Sequence, residues 1–347
     1  MELIHVLAMF RHGDRSPIRT SISSKLNTYK NERSFWKQQL ASEASRQHLN
    51  NITKIETDQG PPLHGGVYPF GHLTQRGVDE MAEKGREFRR QYAPFLNDCN
   101  PHDQVYVCST NIRRTILSAQ SLLWGLFPED ATVEKRLVIH ALEVKHFTPI
   151  HSSKEYQHGA AALKELAMKT KPNFAAFEAN MKRIVGIPEE EEISWLEVRE
   201  VLECRRIHNL ALPEGLTEEL YEDFTKFCGW VWFTFYSEPS LGQPGFRFAM
   251  ERFQELMRNA VEKAPELRLT LISAHDNSLV ALLSLLLLHH SIESLTPPPY
   301  GSMLVFEIYL DKDTSTHHVA VRWDGKPLRF PGQTSVTFPF DAIFSQK

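Results

Sequence analysis

The sequence predicts an α/β protein: a doubly wound, mainly parallel sheet that carries an inserted helical cap. Three observations lead there. Apolar runs of strand length alternate with stretches of helical periodicity at both ends of the chain. The order strand, basic loop, helix occurs twice before residue 130, and the middle of the chain, 131–245, is helical in pattern without alternating strands. Residues 1–130 and 246–347 are therefore expected to form the α/β core, and 131–245 the cap.

Leu3–Phe10 reads as a buried first strand, followed by a polar excursion, 18–72, rich in turn formers such as Gly60-Pro61-Pro62 and His64-Gly65-Gly66. Thr74 is placed to cap a helix whose apolar positions Val78, Met81, Ala82, Phe88 and Tyr92 fall at helical spacing. Gln104–Cys108 predicts a second strand, Ser109–Arg114 a loop, and Thr115–Phe127 a helix stopped by Pro128. In the cap, the acid run Glu189–Glu192 reads as a solvated helix start, and the aromatic run Phe227–Tyr236, with Trp230 and Trp232, as cap core rather than a substrate pocket. A strand Arg268–Ser273, a helix Asn277–His289 and strands Met303–Leu310 and His317–Trp323 return the chain to the sheet.

The 347 residues are 41% hydrophobic, enough for a large core, and the formal net charge of −4 argues against nucleic acid as a partner. The most apolar stretch, Leu279–Leu288, is too short to span a bilayer. The chain begins almost at once with strand residues, so no signal peptide is expected in it. Cys99, Cys108, Cys204 and Cys228 are spaced neither as a dense disulfide framework nor as metal ligands, and Asn51-Ile52-Thr53 is a glycosylation triplet that matters only in a secreted chain. The adjacent histidines 289–290 and 317–318 make poor chelates, and no metal or cofactor is expected.

Three polar loops follow predicted strands: Arg11-His12-Gly13-Asp14-Arg15-Ser16-Pro17, Ser109–Arg114, and Ala274-His275-Asp276. In a parallel sheet such loops converge on one edge, where ligands bind. Arg11, Arg15, Arg114 and His275 would then surround a phosphate and offset its charge, the planar guanidinium fork matching phosphate oxygens. His12 would stand in line to attack phosphorus, kept neutral by the neighbouring arginines, and Asp276 would face the leaving group. A phosphate dianion beside Asp276 raises its proton affinity toward the task of protonating an alkoxide, which predicts an acidic pH optimum.

These three loops, together with Phe70–Gly77, His208–Pro213 and Pro298-Pro299-Tyr300, resemble the histidine acid phosphatase family, the RHGxRxP branch of the histidine phosphatases, and in particular stretches of its prostatic and lysosomal members. The resemblance covers nearly the whole chain. It implies a phosphoglycerate-mutase-like core with a helical cap and hydrolysis of a small phosphomonoester through a phosphohistidine at His12. It also implies phosphate binding by Arg11, Arg15, Arg114 and His275, proton donation by Asp276, and a homodimer. A secretory, lysosomal or extracellular setting follows from the resemblance as well. Two departures stand out: Asn111 replaces a frequent Asp, and Met303 stands where a cysteine partner of Cys204 occurs in the secreted relatives, so that disulfide is lost and a cytosolic setting stays open.

Rival readings keep the site and change its use. Cys108 and Arg114 have the C-x5-R spacing of cysteine-dependent phosphatases, although Ser109–Arg113 lacks the glycine such a loop needs. A phosphate-binding protein without turnover would share the pocket. Phytases and lipid or sugar phosphatases share the core motifs; a phytase pocket should be ringed by lysines, and Lys25, Lys30 and Lys37 in the excursion read more simply as surface.

Overall fold

The computed structural model describes residues 1–57, 59–130, 132–330 and 332–344. Among these, nine strands form one sheet, in the order β2-β4-β3-β5-β1-β6-β7-β8 with β9 also on β7. The strands are β1 (Glu2–Arg11), β2 (Thr53–Glu56), β3 (Val105–Thr110), β4 (Leu137–Leu142), β5 (Leu269–Ala274), β6 (Met303–Asp311), β7 (Thr316–Trp323), β8 (Lys326–Leu328) and β9 (Thr337–Pro339). The first five run parallel to one another, and the last four extend the sheet from β1 in antiparallel fashion.

Alternation along β1 explains the two-sided winding. Val6, Ala8 and Phe10 pack with α3 (Gln75–Gln91) and α6 (Arg113–Leu126) through Val78, Met81, Leu122 and Leu126. Leu7 and Met9 point to the other face, where α11 (Arg247–Glu262) and α12 (Asp276–Leu285) supply Phe253, Met257, Leu279 and Leu283. Successive strand side chains face opposite sides, so a strand that is apolar throughout must be covered on both.

The polar excursion holds more regular structure than its composition suggests. It contains α1 (Thr28–Gln39), α2 (Glu43–Ile52) and the edge strand β2. Strand β2 is only four residues long and lies on the sheet edge, so little burial marks it in the sequence. Asn51 is exposed near the end of α2, while the Thr53 hydroxyl of its triplet is buried and donates to Leu49 O at 2.7 Å. Two single turns, α4 (Ala93–Leu96) and α5 (Pro101–Gln104), lead into β3.

The segment read as wholly helical, 131–245, starts otherwise. Leu137–Leu142 is the sheet strand β4, between β2 and β3. Its alternating burial reflects one covered and one partly open face, a weak pattern over six residues. The rest is helical: α7 (Ser153–Thr170), α8 (Phe174–Val185), α9 (Trp195–Ile207) and α10 (Glu218–Ser237). Phe227, Phe233, Phe235 and Tyr236 of α10 are buried in the same cluster as α12, so the aromatic run is core. No helix among the described residues is long and apolar enough to cross a membrane.

Other boundaries shift as well. Strand β3 continues through Ser109 and Thr110, because parallel pairing with β5 extends to Ser109–Ser273 and the hydroxyls find partners, Ser109 Oγ donating to Thr110 O at 2.9 Å. Helix α12 ends at Leu285 rather than His289: Leu287 adopts φ 56°, which breaks the helix before a short 3₁₀ turn, Leu288–Ser291.

Candidate active site

Strands β3, β5 and β1 are neighbours, and their carboxyl ends bring the three polar loops together. Arg11 closes β1, Arg114 lies in the first turn of α6, and His275 and Asp276 join β5 to α12. The loop after β1 packs tightly against the start of α3. A Cβ on Gly13 would come within 2.7 Å of Gly77 O and 2.8 Å of Met81 Cγ, so only glycine fits there. Thr74 caps α3 by accepting from Gly77 N and also donates to Asp14 Oδ2 at 2.5 Å, and the same carboxylate oxygen pairs with His208 Nε2 at 2.7 Å. Helix cap and motif loop are thereby one hydrogen-bonded unit.

His12 is buried, and its Nδ1 lies 2.9 Å from Gly13 O, an acceptor only, so Nδ1 carries the proton and Nε2 keeps its lone pair. Its ring sits edge-on to His275 at 5.5 Å and beside Tyr300 at 5.7 Å. Burial, then Arg114, Arg15 and Arg11, hold the His12 imidazole neutral well below the ordinary histidine range, and burial and Arg114 do the same to His275. The His275 ring is fixed by a 3.0 Å hydrogen bond between Nε2 and Thr110 Oγ1, itself bonded to Thr115 Oγ1 at 2.8 Å.

The arginines fall into two groups. Arg11 donates to Pro298 O at 2.6 Å, pairs with Asp276 at 3.0 Å and Glu203 at 3.4 Å, and lies 3.9 Å from the centre of the Tyr300 ring. Arg15 pairs with Glu200. Burial works against both cations, yet Asp276 and Glu203 around Arg11, and Tyr300 and Glu200 around Arg15, hold them above the usual arginine value. Arg114 is equally enclosed and reaches only the carbonyl of Gly65, at 3.3 Å. No carboxylate lies within ion-pair distance of it among the described residues, and burial and Arg15 drag its guanidinium down to about 9. The Nε atoms of Arg11, Arg15 and Arg114 are all buried without a partner. Buried donors left unpaired are costly in stability, and three of them belong to this one cluster.

Asp276 is held ionised here. Burial opposes the charge, but Arg11, Arg199 and Arg15 keep its carboxyl below the usual range. The α9 residues Arg199, Glu200 and Glu203 complete the wall and escaped the sequence reading, because the polar face of a cap helix carries no sign of what it will meet; Tyr300, named there only within a family stretch, joins them. All six residues expected at the site, Arg11, His12, Arg15, Arg114, His275 and Asp276, lie around this one pocket.

Cys108 lies elsewhere in character. It is a mid-strand residue of β3, fully buried, its thiol directed to Leu271 O at 3.6 Å and pushed up to about 12 by burial, so no thiolate is available for the C-x5-R reading. All four cysteines are free and buried. Cys204 rests on Tyr300 Oη at 3.3 Å, in a cluster with Trp36 and Phe70, whereas Met303 belongs to the cluster around α3 and α6. Lys25 donates to Arg183 O and Ile184 O at the end of α8, and Lys30 and Lys37 are exposed. Asn111 donates to Gly60 O at 3.3 Å, and its Oδ1 has no hydrogen-bond partner. Among the described residues no three His, Cys, Asp or Glu side chains cluster as metal ligands would.

The chain is 25% identical to prostatic acid phosphatase of Mus musculus over 96% of its own length and 83% of the relative's, and 25% identical to lysosomal acid phosphatase of Homo sapiens over 94% and 73%. Its fold matches the Hafnia alvei phytase solved in complex with myo-inositol hexakis sulphate, with a TM-score of 0.64 at 16% identity, covering 99% of this chain and 97% of that one. The family model of the histidine phosphatase superfamily, branch 2, matches residues 2–199 and 214–323, and the chain belongs to that family.

Proposed function

We propose that this protein is an acid phosphatase that hydrolyses phosphate monoesters through a phosphohistidine on His12, without a metal ion. The observation that carries the reading is the pairing of a neutral His12, its Nε2 lone pair free, with Arg114, a buried guanidinium on which Asp276 and Glu200 act only from beyond ion-pair distance among the described residues. The phosphoryl group supplies the missing anion.

Arg11, Arg15, Arg114 and His275 hold the phosphoryl oxygens while Nε2 of His12 attacks phosphorus. As the P–N bond forms, the ester P–O bond breaks and the leaving alkoxide takes a proton from Asp276. Water then attacks the phosphohistidine, Asp276 takes back the water proton, the P–N bond breaks and phosphate departs. Asp276 must therefore be protonated when substrate is bound. The phosphate dianion competes for Arg11 and adds negative charge nearby; both effects raise a carboxyl that is held low in the free site. Activity is consequently greatest below neutral pH.

The test is phosphate release from 4-nitrophenyl phosphate at acidic pH, with and without a chelator. A His12→Ala variant is expected to lose turnover by at least about 10⁴-fold, and the wild type to form an acid-labile phosphoenzyme that this variant lacks. An Asp276→Asn variant should lose more rate on an alkyl phosphate than on the 4-nitrophenyl ester, whose leaving group needs little protonation. Full turnover by His12→Ala would overturn the reading.

A further inference from the structure

Helix α9 meets the catalytic loop through a ladder of ion pairs. Glu197 pairs with Arg19 at 2.7 Å, Glu200 with Arg15, and Glu203 with Arg11 at 3.4 Å. Carboxylates three residues apart lie along one slanted ridge of the helix, and they meet arginines four apart in the loop, running in the opposite direction. Glu200 also accepts from the backbone amides of Ile18 at 2.6 Å and Arg19 at 3.1 Å, tying the mouth of the loop to the helix. Arg199 bridges the upper rungs, 2.5 Å from Glu203 and 3.9 Å from Asp276.

The ladder decides how much positive charge the pocket offers. Four guanidiniums, of Arg11, Arg15, Arg114 and Arg199, stand among three carboxylates, of Glu200, Glu203 and Asp276, while both imidazoles are neutral. One phosphate dianion, with Asp276 protonated, brings this set to balance. A second phosphate drawn to Arg11 or Arg15 would approach Glu203 or Glu200, whose side chains are nearly buried and already engaged on those arginines. In such poorly solvated surroundings like charges repel more strongly than in water. Of the excursion's lysines, Lys25 is engaged at the end of α8, Lys54 pairs with Glu56, and Lys30 and Lys37 are exposed.

Resting on the phosphatase reading above, we propose that Glu200 and Glu203 are specificity-determining residues that restrict the site to monophosphate esters, those whose alcohol carries no further phosphate. The fold shared with phytases thus does not extend to their polyphosphorylated class of substrate.

The experiment compares kcat/KM for fructose 6-phosphate and fructose 1,6-bisphosphate, which share a skeleton and differ by one phosphate, using 4-nitrophenyl phosphate as the control. The wild type should favour the monophosphate by about tenfold or more, and Glu200→Gln and Glu203→Gln should each shift the ratio toward the bisphosphate by roughly tenfold. Equal or better use of the bisphosphate by the wild type, or an unchanged ratio in variants that still cleave the 4-nitrophenyl ester, overturns the proposal and leaves the phosphatase reading intact. Failure of the wild type on every monoester overturns the phosphatase reading instead. Should the variants not fold, inhibition of the wild type decides: orthophosphate should bind more tightly than tripolyphosphate, and the reverse order would defeat the proposal.

Discussion

The segments around the ends of β1 and β3 both deliver buried arginines to one cluster, but they solve the burial of charge in opposite ways. Arg11 and Arg15, after β1, are matched by Asp276, Glu203 and Glu200. Arg114, after β3, has no direct partner among the described residues beyond the Gly65 carbonyl, with Asp276 and Glu200 acting on it only at longer range. A buried ion pair is roughly neutral for stability, whereas a buried charge without a partner is destabilising. On the reading proposed above, the first loop is balanced on its own and the second is completed by the phosphoryl group.

The largest effect that would break this comparison is on stability. Arg11→Met leaves Asp276 and Glu203 without their cation and should cost about 3–5 kcal/mol in chemical denaturation. Arg114→Met removes a cation that had no partner and should change stability by less than about 1 kcal/mol, in either direction. Equal losses would show that the two loops do not differ.

Ligand binding sharpens the same contrast. Phosphate at a hundred times its dissociation constant should stabilise the wild type by about 2.7 kcal/mol, read as a rise in Tm. Arg114→Met should lose most of that gain. A full phosphate-dependent shift in this variant would mean that Arg114 is not the receptor.

The smallest effect is on titration. In the free protein His12 and His275 are depressed well below 6.5, burial acting first and Arg114 being the leading charge. Groups so depressed stay neutral as pH falls through 6.5, and the stability they contribute is present above that value and lost below it, where the unfolded chain takes up protons first. NMR of the ring resonances should show no titration of either near 6.5 in the wild type. In Arg114→Met both midpoints should move up, and unmoved midpoints would remove Arg114 from the electrostatics of the site.

These contrasts divide what could be read in advance from what could not. The motif Arg11–Pro17 and the dipeptide His275-Asp276 each follow an apolar strand, so their place at the sheet edge was legible from the sequence. The helix start at Thr74 was equally plain, since a capping threonine before periodic apolar residues is a local signal. Strand β4 was not, because six residues buried at alternate positions carry too little pattern to oppose a helical neighbourhood. Nor was the exit of β3: Ser109 and Thr110 read as loop until a neighbouring strand offers them hydrogen bonds.

By itself, then, the sequence determined the strands that build the sheet centre and the place of the six polar residues at their ends, because each depends on near neighbours in the chain. Only the tertiary structure decided which arginine is balanced and which is not. Arg11 and Glu203 are 192 residues apart and Arg11 and Asp276 further still, so their pairing is settled by where α9 and β5 come to rest. Charge compensation depends on distance in space, and the order of residues in a chain does not encode that distance directly.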